Sequence, residues 1–158
     1  MAVDISKNNN HIIVFPTFVA SAMGQYGHII NLVMQADTDN GTLATKGQYV
    51  SFEQYKAAAV AANAVEVTVR ERAVEKDCWY VEVTKLPANP VYLVYNDPIS
   101  PYPQVELRDE GLFYNETGDV TQGMELHIGD CFSLSEDAFT GTIADGAVAV
   151  YTSGKYVI

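Results

Sequence analysis

Two runs of alternating side chains, AVEVTVRERAV (64–74) and CWYVEVTK (78–85), constrain the fold more than any other feature of the chain. Successive side chains of a strand point to opposite faces, whereas a helix repeats near every 3.6 residues. The first run therefore puts Val65, Val67 and Val69 on one face and Glu66, Thr68 and Arg70 on the other. The second turns Trp79, Val81 and Val83 inward. Glu75-Lys76-Asp77 between them reads as a hairpin loop. VYLVYN (91–96) has little polar relief, so a third strand there is expected to be buried on both faces.

The remainder repeats the theme in shorter pieces: GLFYN, MELHIGDCFSLS and AVAVYTSGKYVI, broken by turns at ETGD, TGT and ADG. The last piece reads as a hairpin around Thr152-Ser153-Gly154. Glycines at 111, 118, 123, 129, 141, 146 and 154 punctuate it at the spacing of an all-β barrel or sandwich. Ten tyrosines and six phenylalanines point the same way. The expected fold is mainly β, a small barrel or sandwich, with one short α-helix over 51–62 and an extended N-terminal arm. The helix rests on SFEQYKAAAVAA, where Ser51 and Gln54 fit a capping box and the alanines supply helix propensity.

Residues 8–36 contain no Asp, Glu, Lys or Arg. Pro16, Gly24 and Gly27 argue against one long helix there. Such a segment has two uses. It adds strands to the chain's own core, or it lies along a partner, held by backbone hydrogen bonds and apolar anchors. On the second use the anchors are Ile12, Ile13, Phe15, Phe18, Tyr26 and Ile29. The division that follows is an interaction segment over 1–45 and a β-rich domain over 46–158, with a possible further break at the proline-rich stretch 96–104, NDPISPYPQ. ADTDNGTLATKG (36–47) joins the two. Its Asn40-Gly41 is a type I′ turn signal that would make a hairpin of HIINLVMQ and GTLATKG.

Function classes are removed by composition and spacing. A formal charge of −11 opposes nucleic-acid and anionic-membrane partners. Residues 104–158 alone carry ten acids and two bases. No run of 18 apolar residues reads as a membrane span, and MAVDISKNNN lacks the pattern of a signal peptide, so folding in a cytoplasm is expected. As a calcium loop, 37–48 has its glycine one place early and no closing glutamate. His11, His28 and His127 have no metal-ligand spacing, and neither metal nor cofactor is expected. Cys131 with His127, read as sharing an alternating strand, is too separated for a catalytic pair. No GxSxG elbow or phosphate loop occurs. Cys78 and Cys131 read as buried free thiols, with a disulfide between them the alternative. Trp79 and Tyr92, Tyr95, Tyr102 and Tyr114 are the candidates for a sugar-binding platform.

ADTDNGTLATKGQYVSFEQY, led by an uncharged arm, resembles the N-terminal region of accessory virion proteins of tailed bacteriophages. FYNETGDVTQGMELHIGDCFSLSEDAFTG followed by DGAVAVYTSGKYVI is similar to their C-terminal pattern, a strand opening on Gly-Asp, then a short turn and a last hairpin. The resemblance implies a non-enzymatic head decoration (cement) protein that sits on the capsid exterior. It implies the phage major capsid protein as partner, a homo-oligomer, often a trimer, and a place on the virion after assembly in a bacterial cytoplasm. Another virion component, such as a head-fibre base or a tail protein, shares this composition. A carbohydrate-binding or adhesin module is the reading from a different class.

Overall fold

A computed structural model describes residues 12–18, 29–52, 54–73, 77–96 and 114–158. It is mainly β. The strands are β1 (Val14–Phe18), β2 (Ile29–Val33), β3 (Leu43–Ser51), β4 (Gln54–Ala58), β5 (Glu66–Arg72), β6 (Cys78–Lys85), β7 (Tyr92–Tyr95), β8 (Val120–Glu125), β9 (Cys131–Ser135), β10 (Phe139–Thr140), β11 (Val148–Thr152) and β12 (Lys155–Val157). One 3-10 turn, Glu136–Ala138, links β9 to β10. No helix among the described residues is long and apolar enough to cross a membrane.

Seven strands form one sheet in the order β1-β9-β6-β5-β11-β12-β10, and the other five close on themselves in the order β2-β4-β3-β7-β8. The β5–β6 hairpin anchors the larger sheet as its alternation requires, with Val67 opposite Val83 and Val69 opposite Val81. All four valines, with Val65, are fully buried, each contributing about 1.5–3 kcal/mol relative to exposure.

The principal core lies between this sheet and one wall of the ring. Val65, Val67, Val69, Val81, Val83, Phe132 and Leu134 meet Leu43, Val91, Leu93, Met124 and Leu126 there. A second, smaller cluster of Ile30, Leu32, Met34, Ala44, Tyr92 and Val94 has Tyr55 and Ala57 packed against it. Strand β7 therefore serves both clusters. Leu93 goes to one and Tyr92 and Val94 to the other, so the run without polar relief is buried on both faces. Two tyrosine hydroxyls bind the halves together. Tyr156 donates to the Gly41 carbonyl at 2.8 Å, and Tyr151 accepts from the Leu43 N–H at 3.0 Å. The last hairpin forms as expected, β11 against β12, with positive φ at Ser153 and Gly154.

Three expectations need correction. The α-helix over 51–62 is absent. Gln54–Ala58 is a strand, antiparallel to β3 and parallel to β2. A helix of about three turns is marginal on its own, and here the backbone gains ladder partners on both sides. Second, β2 and β3 do not pair with each other, because β4 lies between them. Asn40 lacks the positive φ that a type I′ turn needs at both central positions; only Gly41, at +86°, has it. Third, MELHIGDCFSLS is not one strand: a turn separates β8 from β9. His127 lies in that turn, where its N–H donates to the Asp130 carboxylate at 2.8 Å. Positions 45 and 46, where the division was expected, both lie in β3. Of the stretch 96–104, all but Asn96 lies outside the described residues.

Candidate interaction surface

The anchors expected in the leading segment are placed in different surroundings. Ile12 is only 2% exposed and belongs to the principal core. Ile13 is half-buried, and its N–H donates to Ser135 Oγ at 2.9 Å. Strand β1 pairs with β9, setting half-buried Phe15 opposite Ser133 and Phe18 opposite Cys131. Tyr26 lies outside the described residues. Ile29, at the start of β2, is 44% exposed. Of the two uses open to this segment, its described parts take the first: β1 and β2 are strands of the chain's own sheets. Ile12, expected as a partner anchor, is a core residue in the cluster that holds Leu43 and Leu134.

Among the described residues, one exposed apolar surface lies elsewhere. Strands β3 and β4 make an antiparallel hairpin with Tyr49 opposite Tyr55 and Ser51 opposite Gln54. Around its tip, Phe52 is 84% exposed, Tyr49 62% and Val50 45%. The parallel register of β2 with β4, Asn31 opposite Gln54, brings Ile29 to the same end of the ring as Phe52. Four exposed large apolar residues are therefore placed toward one end of the ring. A solitary exposed apolar residue needs no explanation; several toward one end make that end the candidate contact site.

The hairpin is also ordered from within. The Tyr49 and Tyr55 rings pack edge to face, centroids 5.7 Å apart at 73°. Lys46 Nζ sits 4.2 Å from the Tyr55 centroid, within cation–π range. Among the described residues Arg70, Arg72 and Lys85 form salt bridges with Glu82, Asp77 and Glu66, while Lys46 and Lys56 form none. The hairpin thus presents aromatic and aliphatic groups flanked by two cations, on a chain of charge −11.

Beside the hairpin base a cleft of about 520 Å³ is lined by Thr45, Lys46, Val60, Pro87, Asn89 and Tyr92, among others. It offers a cation, hydroxyl groups and an amide, with no second titratable group suited to acid–base work except Tyr92. That phenol is pushed up from its ordinary range by burial, and further by Glu125 and Tyr55. Among the described residues, no group of three or more His, Cys, Asp or Glu side chains is placed to hold a metal ion. The aspartates of the 36–47 stretch serve as acceptors for protein donors. Asp37 takes the Thr117 N–H and hydroxyl at 3.0 and 3.1 Å, and Asp39 takes the Ile12 N–H at 3.4 Å. No disulfide joins the cysteines, since Cys78 stands opposite Ser135 and Cys131 opposite Glu82. Burial raises the Cys131 thiol, with Glu82 adding to the effect.

The aromatics expected as a sugar platform are not gathered on the surface. Tyr92 is buried, while Trp79 and Tyr95 pack against the principal core; Tyr102 lies outside the described residues. Sequence reasoning missed Tyr49, Val50 and Phe52 because it spent Ser51 on a helix cap. The available signal was GlnTyr repeated at 48–49 and 54–55 around a short Ser51-Phe52 turn. Aromatic and β-branched residues in that arrangement favour a strand pair over a helix.

Comparison with protein-family models, with curated proteins and with solved structures yields no match.

Proposed function

We propose that this chain is a non-enzymatic structural protein of a tailed-phage virion, which binds the capsid exterior as a homo-oligomer and stabilises the shell. The observation that carries the reading is the apolar hairpin end of Ile29, Tyr49, Val50 and Phe52 projecting from an acidic body. The resemblance of the 36–55 and 113–158 stretches to accessory virion proteins supplies the partner, the major capsid protein. The grip is assigned to the hairpin, because the described part of the leading segment is occupied in the chain's own sheets. Full burial of one side chain such as Phe52 contributes about 1.5–3 kcal/mol. A contact of a few such groups is weak per copy and is multiplied over the many equivalent sites of a shell. The acidic remainder keeps decorated particles apart.

Co-sedimentation with undecorated, expanded heads tests the reading. Wild-type chain is expected in the pellet, and the double variant Tyr49→Ser/Phe52→Ser in the supernatant while keeping its circular dichroism spectrum. Retention of the double variant on heads would move the grip away from the hairpin; failure of the wild type to bind heads would remove the capsid reading. One observation favours a second reading: the open Tyr49 face beside Tyr55 and Lys46 is also a small aromatic platform of the kind that stacks on sugars. Glycan-array binding abolished by Tyr49→Ala, without head binding, would select it.

A further inference from the structure

Asn40-Gly41 is the one Asn-Gly pair in the chain, and neither the core nor the proposed contact accounts for its chemistry. We infer that it is a modification site guarded by the fold: an asparagine that deamidates in unfolded chains, is held inert in folded ones, and once converted leaves a chain that folds less stably.

The reaction is intramolecular. The Gly41 amide nitrogen attacks the Asn40 side-chain carbonyl carbon, closing a five-membered succinimide and expelling ammonia. Water then opens the ring on one of two sides, giving aspartate or an isoaspartate whose main chain runs through the former side chain. One water is consumed and one ammonia released, with no change of oxidation state. Gly at the second position leaves the attack unhindered, which makes Asn-Gly the reactive pair and asparagine a thermolabile residue.

The fold withdraws each participant. The Gly41 N–H donates to the Val94 carbonyl at 2.9 Å, so the nucleophile is engaged in a strand contact. The Asn40 side chain is only 5% exposed. Its Nδ2 donates to the Asn96 carbonyl at 2.8 Å, and its Oδ1 accepts from the Asn96 N–H and from Asn115 Nδ2, both at 3.0 Å. Three hydrogen bonds fix the amide in place, and burial excludes the water that opens the ring.

The products do not fit the same place. Aspartate has no N–H to offer, so a carboxylate oxygen would face the Asn96 carbonyl in a buried site. Isoaspartate lengthens the main chain at a point without spare room, since a Cβ on Gly41 would already meet Ile12 and Leu134 at 2.9 Å. Chains that linger unfolded are thereby marked with a less stable fold. Folded chains persist unmarked, whatever their partner.

Peptide mapping by mass spectrometry tests this on the full chain, held at neutral pH and physiological temperature, once folded and once in concentrated urea. Conversion at Asn40 is expected in urea and at least about tenfold slower in the folded protein, where it proceeds only through opening. An Asn40→Asp chain is expected to unfold at a lower urea concentration than wild type. Equal rates of conversion in the two samples, or an N40D chain with the wild-type midpoint, would overturn the inference.

Discussion

Gly41 has a φ of +86°, and a Cβ built there would lie 2.9 Å from side-chain atoms of both Ile12 and Leu134. Gly118 has a similar φ of +93° with nothing within 4 Å of such an atom. The two positions separate conformational strain from packing. Left-handed backbone costs a non-glycine residue about 1–2 kcal/mol, and overpacking a tight core adds about 1–3 kcal/mol. Gly41→Ala is therefore expected to lose more stability than Gly118→Ala, by roughly the overpacking contribution, in urea titrations followed by tryptophan fluorescence. Equal losses would mean that Ile12 and Leu134 can move aside. That Gly41 needs to be glycine was legible in the sequence, where Asn-Gly marked a turn. What crowds it was not, because Ile12 and Leu134 come from opposite ends of the chain.

Strand β4 shows where local reading fails at the scale of an element. Hairpins β5–β6 and β11–β12 were legible because each is a sequence neighbour pair whose alternation fixes its own register. The apolar run of β7 was legible because a strand buried on both faces leaves no polar alternative. The ring is different: β2 meets β4 in parallel and β8 from far along the chain, so no local pattern encodes the pairings. The alanines of 57–59 favour a helix by propensity, and tertiary pairing overrides it. The hairpin end of Tyr49, Val50 and Phe52 was hidden by the same misreading. Lys56 is exposed on β4, so Lys56→Thr tests the assignment without touching the core. A β-branched residue there is expected to stabilise the chain by up to about 1 kcal/mol; in a helix the same change would destabilise it by a few tenths. Thermal unfolding distinguishes the two signs.

At the scale of the whole molecule, the joint between the large sheet and the ring depends on neutral phenols. Tyr156 is fully buried and donates to the Gly41 carbonyl. Tyr151 lies against it, ring centroids 5.2 Å apart, and bonds to Leu43. Burial raises both phenols, Tyr156 well above its ordinary value, and at Tyr156 the neighbouring Tyr151 adds to the effect. The fold therefore favours the protonated form. Below the unfolded value of about 10 both states are protonated and this contribution is fully present. As pH rises past that value the unfolded chain releases protons first, and stability falls by up to about 1.4 kcal/mol per pH unit for each such tyrosine until the folded state also ionises. The urea midpoint is expected to be level for these groups from neutral pH to about 9 and to drop steeply above 10. Tyr156→Phe should lower the stability at neutral pH by about 1–3 kcal/mol, because the Gly41 carbonyl loses its donor while remaining buried. The same variant should flatten the alkaline fall, since one of the groups that drives it is gone. An alkaline slope as steep in the variant as in wild type would mean that Tyr156 does not couple protonation to the closure of ring against sheet. The joint would then rest on the shared apolar core of Leu43, Leu93 and Leu134, which is indifferent to pH.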